Sequence, residues 1–454
     1  MKKLLWIVVL LAIALAFPVS NLLITRKPDP ALRANAKDAR FEAVVSMFEN
    51  KCIDCHSDKA TLPFYAKLPV ASSIIAKDIQ RGTEELNVPQ DCFGPTPVNE
   101  AVLAKIQRVM EIGSMPPGDY QMMHWGSGLT SNDKAVLMGW IRNGRALANG
   151  AADGNHPLYA SAVLPLTEPK GLNPDKVALG RKLYHDTRLS GDNTLSCASC
   201  HDLKKGGTDQ AQFSTGIRNQ KGGINAPTVF NASHAFVQFW DGRAADLQEQ
   251  AAGPVANPIE MGANWDTVPG KVKADKEYEN AFVKLYPEGI TKASITDAIA
   301  TFEKSLVTVN SRFDRFLRGT TDALTADEQE GYRLFTADGC YTCHAGQILG
   351  GKSFEKFSRY GNYYADRGNP TPADDGRFSV TKKESDSRKF KVPTLRNIAL
   401  TFPYLHDGST SDLTKVVKLM GKYQLHTDIP DRDVALVVKF LHTLTGELDG
   451  KPLQ

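Results

Sequence analysis

A surplus of charge of either sign is what the chain most plainly lacks: 54 lysines and arginines stand against 51 aspartates and glutamates, a formal net charge of +3. So even a balance sets up no strong surface field, which argues against nucleic acid as a partner. Strand signals are scarce as well, and the Pro- and Gly-rich stretches GNHPLYASAVLPLTEPKGLNP and RGNPTPADDGRF read as connections. Cysteine outside one pattern is nearly missing: of seven, only Cys92 stands apart, and no role is assigned to it. The 454 residues are too many for one ordinary core, so about three domains are expected.

The other six cysteines form three pairs, each followed at once by histidine: Cys52 and Cys55 with His56, Cys197 and Cys200 with His201, Cys340 and Cys343 with His344. C-x-x-C-H is the attachment signature of a c-type haem: both thiols bond to the porphyrin and the histidine binds iron. Zinc needs four ligands per site and usually couples one C-x-x-C with another. A thioredoxin-like redox pair needs a βαβ setting, whereas a helical pattern precedes each motif here. Three c-type haems are therefore the expected cofactors.

The three histidines lie 145 and 143 residues apart, as if one haem unit were used three times. Asn173 and Thr325 stand as N-caps of the helical stretches ahead of the second and third motifs. The expected fold is mainly α: three tandem class I cytochrome c-like haem domains behind an N-terminal transmembrane helix. Their bounds fall at 1–27 for the signal anchor, 28–155 for the N-terminal haem domain, and 156–320 and 321–454 for the other two.

The N-terminus, MKKLLWIVVLLAIALAFPVSNLLITRK, is two lysines followed by a long apolar run, an export signal. The run reaches the roughly 20 residues that span a bilayer, although Ala14-Leu15-Ala16 resembles a cleavage site. The expectation is an uncleaved anchor in a bacterial inner membrane with the haem domains on the periplasmic face; cleavage to a soluble periplasmic protein is the alternative.

In the first haem domain the loop IGSMPPGDY offers Met115, held by Pro116 and Pro117, as the second axial ligand opposite His56; Met122, Met123 and His124 are nearby rivals. TSNDKAVLMGWIRNGR then begins on a Thr130 or Ser131 cap and reads as a closing amphipathic helix. A His/Met haem has a raised potential and suits electron relay.

From about residue 165 onward the motifs CASCHD, INAPTVFN, FWDGRAADLQEQ, NPIEM, GCYTCH, FKVPTLRNIALTFPYLHDGS and LMGKY resemble those of the bacterial dihaem cytochrome c peroxidases. The additional N-terminal haem unit narrows the resemblance to the trihaem, membrane-anchored quinol peroxidases of that family. The resemblance implies that Met420 closes the iron on His344, giving an electron-transferring haem. It implies that Glu260 is the acid–base carboxylate, that Gln250 orients peroxide, and that Trp240 lies between the two haems, where it either supports electron passage or serves interface packing alone. Asn225, with the carbonyls of Thr401 and Pro403, matches an interdomain calcium site, and His406 and Arg396 match contacts to haem propionates.

Many family members cap the peroxidatic iron with a histidine in the loop before NAPT. Here that loop, GGTDQAQFSTGIRNQKGGINAPT, has none, and Ile217 stands in its place. His185 and His234 lie outside the matching loop and read as surface or packing histidines. The iron on His201 is thus expected to be open to hydrogen peroxide. The implied activity is reduction of peroxide to water with electrons from membrane quinol relayed through two His/Met haems. The alternatives are a soluble cytochrome c or copper protein as donor, or a multihaem cytochrome that only carries electrons. The dihaem relatives dimerise, so both a monomer and a homodimer stay open for this chain.

Overall fold

The computed structural model describes residues 39–454 except 61, 95 and 96, together with residues 3, 6, 7, 15, 16, 18–22 and 30–33. The chain divides into two compact units, Met1–Ala162 and Val163–Gln454.

The first unit is built on α1 (Ala39–Lys51), α2 (Pro69–Glu85), α3 (Glu100–Ile112) and α4 (Ser131–Ala148). α4 starts where the sequence places it: the Thr130 side chain accepts from the Asp133 N–H, and Asp133 reaches back to the Thr130 N–H in a capping box. α1 and α3 both pack on α4. They enclose Val45, Phe48, Leu103, Leu137 and Ile141, with the Phe48 ring edge-on to Trp140 at 5.7 Å. α1 ends at Lys51, so its C-terminus delivers Cys52 and the first haem pentad directly. A buried ion pair, Arg145 Nε to Glu100 Oε1 at 2.6 Å, closes the far side, and the same guanidinium donates to the carbonyls of Tyr159 and Ala160.

The second unit carries the other two pentads on one repeated device. α5 (Pro174–Tyr184) crosses α7 (Lys292–Ser305), and α8 (Ala326–Ala337) crosses α10 (Asp431–His442); α6 (Leu247–Ala256) and α9 (Leu413–Met420) lie between. Each crossing is so close that only glycine fits. A Cβ on Gly180 would stand 1.9 Å from the Ala298 carbonyl oxygen, and one on Gly331 would stand 2.0 Å from that of Leu436. Aromatic pairs lock both crossings, Tyr184 with Phe302 at 5.2 Å and Phe335 with Phe440 at 5.3 Å. Asn173 and Thr325 cap α5 and α8 through side-chain acceptors. Among the described residues the strands make only two short antiparallel pairs, β1 (Phe354–Lys356) with β2 (Lys389–Lys391) and β3 (Glu447–Leu448) with β4 (Lys451–Pro452).

The two haem-bearing halves of this unit are pinned by Arg396. Fully buried, it pairs with Asp314 at 2.8 Å and donates to the carbonyls of Leu164 and Gln347 and to the Ser311 hydroxyl. A buried charge is tolerable only with partners on this scale. Its guanidinium is thereby committed to the inter-half network, whereas the sequence reading set it against a propionate.

Two expectations are corrected. The fold is mainly helical, but the peroxidatic and electron-transfer portions share one compact unit instead of forming separate tandem domains. Among the described residues no helix is long and apolar enough to cross a membrane, so the N-terminal transmembrane helix and the inner-membrane placement built on it are not supported. Most of the segment 1–27 lies outside the described residues. Within residues 18–22, Asn21 is tied to the first unit: its amide donates to the Met123 carbonyl, and its Oδ1 accepts from the Tyr65 hydroxyl.

Candidate functional site

All three pentads present their histidine in the same way. Nδ1 of His56 faces the carbonyls of Gly82 and Leu86 at 3.0 and 2.9 Å, that of His344 faces Leu349 at 3.0 Å, and that of His201 faces Gly207 at 3.3 Å. A carbonyl only accepts, so Nδ1 carries the proton and Nε2 is left bare for a metal. Burial pushes the His201 and His344 imidazoles below their ordinary pKa, toward the neutral form a ligand needs. The six pentad cysteines are unbridged and half-buried. This donor set, two thiols and one bare imidazole nitrogen three times over, fits three c-type haems. Pockets built otherwise would not need that repetition.

Around His201 the decisive contacts lie between two loops. Ile217 is 4 % exposed, and its N–H donates to the Glu260 carbonyl at 2.8 Å. Gln220 Nε2 donates to the Pro258 carbonyl at 2.8 Å. Gly216 lies so near Ile259 that a Cβ would come within 1.9 Å of its carbonyl oxygen. The loop that lacks a histidine is therefore docked, backbone to backbone, on the loop that carries Glu260. The Glu260 side chain is largely buried, and that burial pushes its pKa above the ordinary carboxylate value, against the Arg243 charge and a hydrogen bond from Asn257. Asn257 Nδ2 donates to Oε1 at 2.7 Å, which leaves Oε2 to exchange a proton. Gln250 sits on α6, in the helix ahead of that loop, and is half-buried.

Trp240 spans the two halves of the second unit. Its Nε1 donates to the Asn225 carbonyl at 2.9 Å, its own carbonyl accepts from Lys391 N–H at 2.8 Å, and its ring packs edge-on against Phe390 and His406. His406 is buried with Nε2 at 2.7 Å from Asp374, and stacks on Phe390 at 4.3 Å. Asp374 feels burial, which raises its pKa, but Arg367 and His406 hold it down at about 2. Asn225 Nδ2 donates to the carbonyls of Ala211 and Gln212, which turns its Oδ1 away from them. No described donor reaches that Oδ1 or the carbonyls of Thr401 and Pro403, so these oxygens suit a hard cation.

Met420 ends α9, at the start of a widened, π-helical turn over Gly421–Leu425, and packs beside Phe357, Tyr363, Phe390 and Tyr423. In the first unit Met115 is 39 % exposed, too open for a core residue. The helix after it, Gly118–Met123, is tied to the pentad by Tyr120, whose hydroxyl donates to Asp54 at 2.6 Å, and Gln121 Nε2 holds the Pro116 carbonyl. Of its rivals, His124 has both ring nitrogens engaged, by the Tyr120 carbonyl and the Tyr65 hydroxyl, and Met122 is exposed. His185 is an exposed histidine beside the Arg181 carbonyl, and burial pushes His234 down to about 4.

Three residues near the His201 haem escaped the sequence reading. Tyr184, fully buried, donates its hydroxyl to the His201 carbonyl. Asn257 lies inside the quoted NPIEM motif and was passed over. Glu303 lies on α7 within a buried face, its Oε2 has no hydrogen-bond partner, and burial alone pushes its pKa up to about 8. A carboxylate four residues after Ile299 in an apolar stripe was the signal that could have found it.

Comparison with known proteins follows the same division. The family described as Di-haem cytochrome c peroxidase matches residues 174–322, and the family described as Haem-binding domain matches residues 11–143. The "Cytochrome c peroxidase Ccp" of Escherichia coli (strain K12) is 42% identical over 425 residues, which cover 93% of this chain and 91% of that protein. The "Cytochrome c551 peroxidase" of Nitrosomonas europaea is 45% identical over 299 residues, 64% of this chain and 88% of the relative. Among solved structures, a MauG-like protein associated with microbial copper homeostasis superposes with a TM-score of 0.56 at 30% identity, covering 63% of this chain and 93% of that one.

Proposed function

The chain belongs to the di-haem cytochrome c peroxidase family, and from that premise we propose that it reduces hydrogen peroxide to water at the haem held by His201, drawing electrons from quinol through the first unit. The observation that carries this reading is the docking of the Ile217 loop on the Glu260 loop. It keeps an apolar residue where a capping side chain would stand and holds a carboxyl group nearby. When bound, the haem supplies a redox-active iron with one position for substrate.

The chain's own residues supply the rest. Glu260 Oε2 takes the proton from one oxygen of HOOH and returns it to the other, so that the departing group is water and not hydroxide. Asn257 fixes the carboxyl through Oε1, and burial keeps its proton affinity close to what that shuttle needs. Gln250 orients the peroxide by its amide. Met420 and Met115 would join His344 and His56 in holding the irons of the other two haems, which would leave those haems to carry electrons. Trp240 holds the halves together along the electron path. Asn225 Oδ1 and the carbonyls of Thr401 and Pro403 would hold a calcium ion, which would fix the spacing of the two halves.

The balance is QH2 + H2O2 → Q + 2 H2O, two electrons and two protons per peroxide. The relative from Escherichia coli extends over 93% of this chain, consistent with a first unit that belongs to the enzyme. The test is a peroxidase assay of the as-isolated, fully oxidised enzyme with and without prior reduction, run with a quinol analogue and with reduced cytochrome c. Turnover from the oxidised state is expected without activation, and a requirement for prior reduction overturns the open-site reading. Turnover with cytochrome c alone overturns the quinol donor.

A further inference from the structure

Residues 238–244 form a tight loop, closed by the Gln238 N–H on the Ala244 carbonyl at 2.8 Å. Within it Phe239 has a φ of 66°, a conformation that a bulky residue keeps only where its neighbours enforce it. The result is a placed ring: Cζ of Phe239 lies 3.5 Å from where a Cβ on Gly253 of α6 would stand. The Arg243 guanidinium lies over that ring, its Cζ 3.5 Å from the centroid. Asp241 tethers it as well, with its two carboxylate oxygens 3.0 and 2.9 Å from Nη1. An arginine side chain 44 % exposed would ordinarily roam, but this one is held by a ring and a carboxylate of its own loop.

The same packing leads to Glu260. The Gly253 carbonyl accepts the Asn257 N–H at 3.0 Å, and the Asn257 side chain donates to Glu260 Oε1 at 2.7 Å. The Phe239 ring therefore rests on the turn of backbone that supports the hydrogen-bond partner of Glu260. Burial raises the Glu260 pKa, and the foremost influence against it is the Arg243 charge, ahead of the Asn257 hydrogen bond.

The other ionisable groups nearby are spent elsewhere. Cys200, whose thiol feels the Glu260 charge, is a haem-attachment cysteine. Arg218 and Lys221 lie on the docked loop, where Lys221 donates to the Thr215 hydroxyl, and neither adds to the charge that Glu260 feels. Glu249 of α6 accepts the Ala245 N–H, and the buried Lys391 ammonium feels Asp241. Of the guanidinium itself only Nη1 is committed; among the described residues Nε and Nη2 have no acceptor.

We propose that Arg243 is a positioning residue of the peroxidase reaction, a fixed counter-charge that acts through Glu260. The inference rests on the acid–base role given to Glu260 above. Before the proton moves, Glu260 must be a carboxylate, and an adjacent cation favours that form. Oε2 then takes the proton from one peroxide oxygen, and the negative charge passes to the peroxide. On return of the proton to the other oxygen the carboxylate reforms beside the same cation, which makes the carboxyl a stronger acid for that second transfer. Arginine suits the place because a planar guanidinium stacks on a ring while its in-plane donors meet a carboxylate, whereas an ammonium has no such face.

The experiment uses the holoenzyme as wild type, Arg243→Gln, Arg243→Lys and Glu260→Gln, with the haem spectrum as the check that each is folded and loaded. Two pH profiles are measured: kcat/KM for hydrogen peroxide, and the rate of cyanide binding to the oxidised enzyme, followed by absorbance. Hydrogen cyanide, like peroxide, gives up a proton as it binds, and its binding involves no turnover. In Arg243→Gln the acid limb of both profiles is expected about one pH unit higher, since an adjacent cation lowers a carboxyl pKa by about 1 to 3. The loss should be about tenfold below the wild-type limb and shrink above it. Arg243→Lys keeps the charge without the stack, so its limb should fall between the two. An equal loss at every pH, or a limb in Arg243→Lys no lower than in Arg243→Gln, makes Arg243 a structural residue and overturns the inference. Should Arg243→Gln fail to load, Arg243→Lys decides alone: its limb lies above that of the wild type or the inference fails. If the limb stays in place in Arg243→Gln but disappears in Glu260→Gln, Arg243 has no part and the role of Glu260 survives. If Glu260→Gln keeps both limb and rate, that role falls and this inference with it.

Discussion

The N–H of Ile217 and the carbonyl of Glu260 lie 2.8 Å apart, one hydrogen bond between the loop in which relatives carry a capping histidine and the loop that carries the proposed acid–base carboxyl. Movement of the first loop therefore disturbs the second. In relatives with a histidine at this place the two events, uncapping and assembly of the proton shuttle, would be coupled; on the reading proposed here the assembled arrangement would be the resting one.

Replacing Ile217 by histidine should convert the enzyme to one that needs activation. The oxidised Ile217→His variant is expected to lose at least about tenfold in initial peroxidase rate and to recover it after prior reduction, with a low-spin spectrum at rest. An unchanged rate from the oxidised state would show that residue 217 does not face the substrate position.

In the proposed shuttle Glu260 acts first as a base, so it must be ionised to accept the peroxide proton. Its pKa is raised by burial, so the acid limb of kcat/KM is expected at higher pH than an ordinary carboxylate near 4.3 would give. Glu260→Gln should lower kcat by about 10²–10⁴. Asn257→Ala removes a hydrogen bond that lowers the Glu260 pKa, so it should move the limb further up. A limb that stays in place in Asn257→Ala would assign it to another group.

Glu303 ties stability to pH. Burial raises its pKa from 4.5 to about 8 in the folded protein, so between those values the folded state holds a proton that the unfolded state has released. Its contribution is fully present below the unfolded value and is lost as pH climbs to about 8, with a slope of at most about 1.4 kcal/mol per pH unit. Urea midpoints across this window should fall with rising pH in the wild type and flatten in Glu303→Gln.

The two helix crossings make a matched prediction. Gly180→Ala and Gly331→Ala each place a methyl group about 2 Å from an opposing carbonyl oxygen, which forces the helices apart. Each should lower stability by about 1–3 kcal/mol or more, measured by denaturant unfolding of the holoprotein. Near-equal losses are expected, since the crossings are built alike.

Calcium offers a further check. Chelation should weaken the coupling between the halves and slow electron passage from the haem on His344 to that on His201, and added calcium should restore it. In Asn225→Ala neither chelator nor calcium should have an effect.

Much of this was legible in the residues. The C-x-x-C-H pentads, the caps at Thr130, Asn173 and Thr325, and the helical class are local patterns, and local hydrogen bonding produced them. The segment before the second pentad was not: α5 stops at Tyr184, because residues 185–196 turn back so that Asp186 can hold Arg188 and Tyr278. The merging of two haem domains into one unit was also hidden, since Arg396 and Asp314 are 82 residues apart and neither looks buried in sequence. The apolar N-terminal run suggested a span by composition, a measure blind to the contacts of Asn21.

Trp240 bonds to Asn225 with its ring nitrogen and to Lys391 with its carbonyl, one partner in each half of the second unit. Two short hydrogen bonds through one residue oppose drift of the halves along this line. As temperature rises, the tunnelling rate between the two haems should stay level until the unit melts and then vanish, instead of declining gradually beforehand.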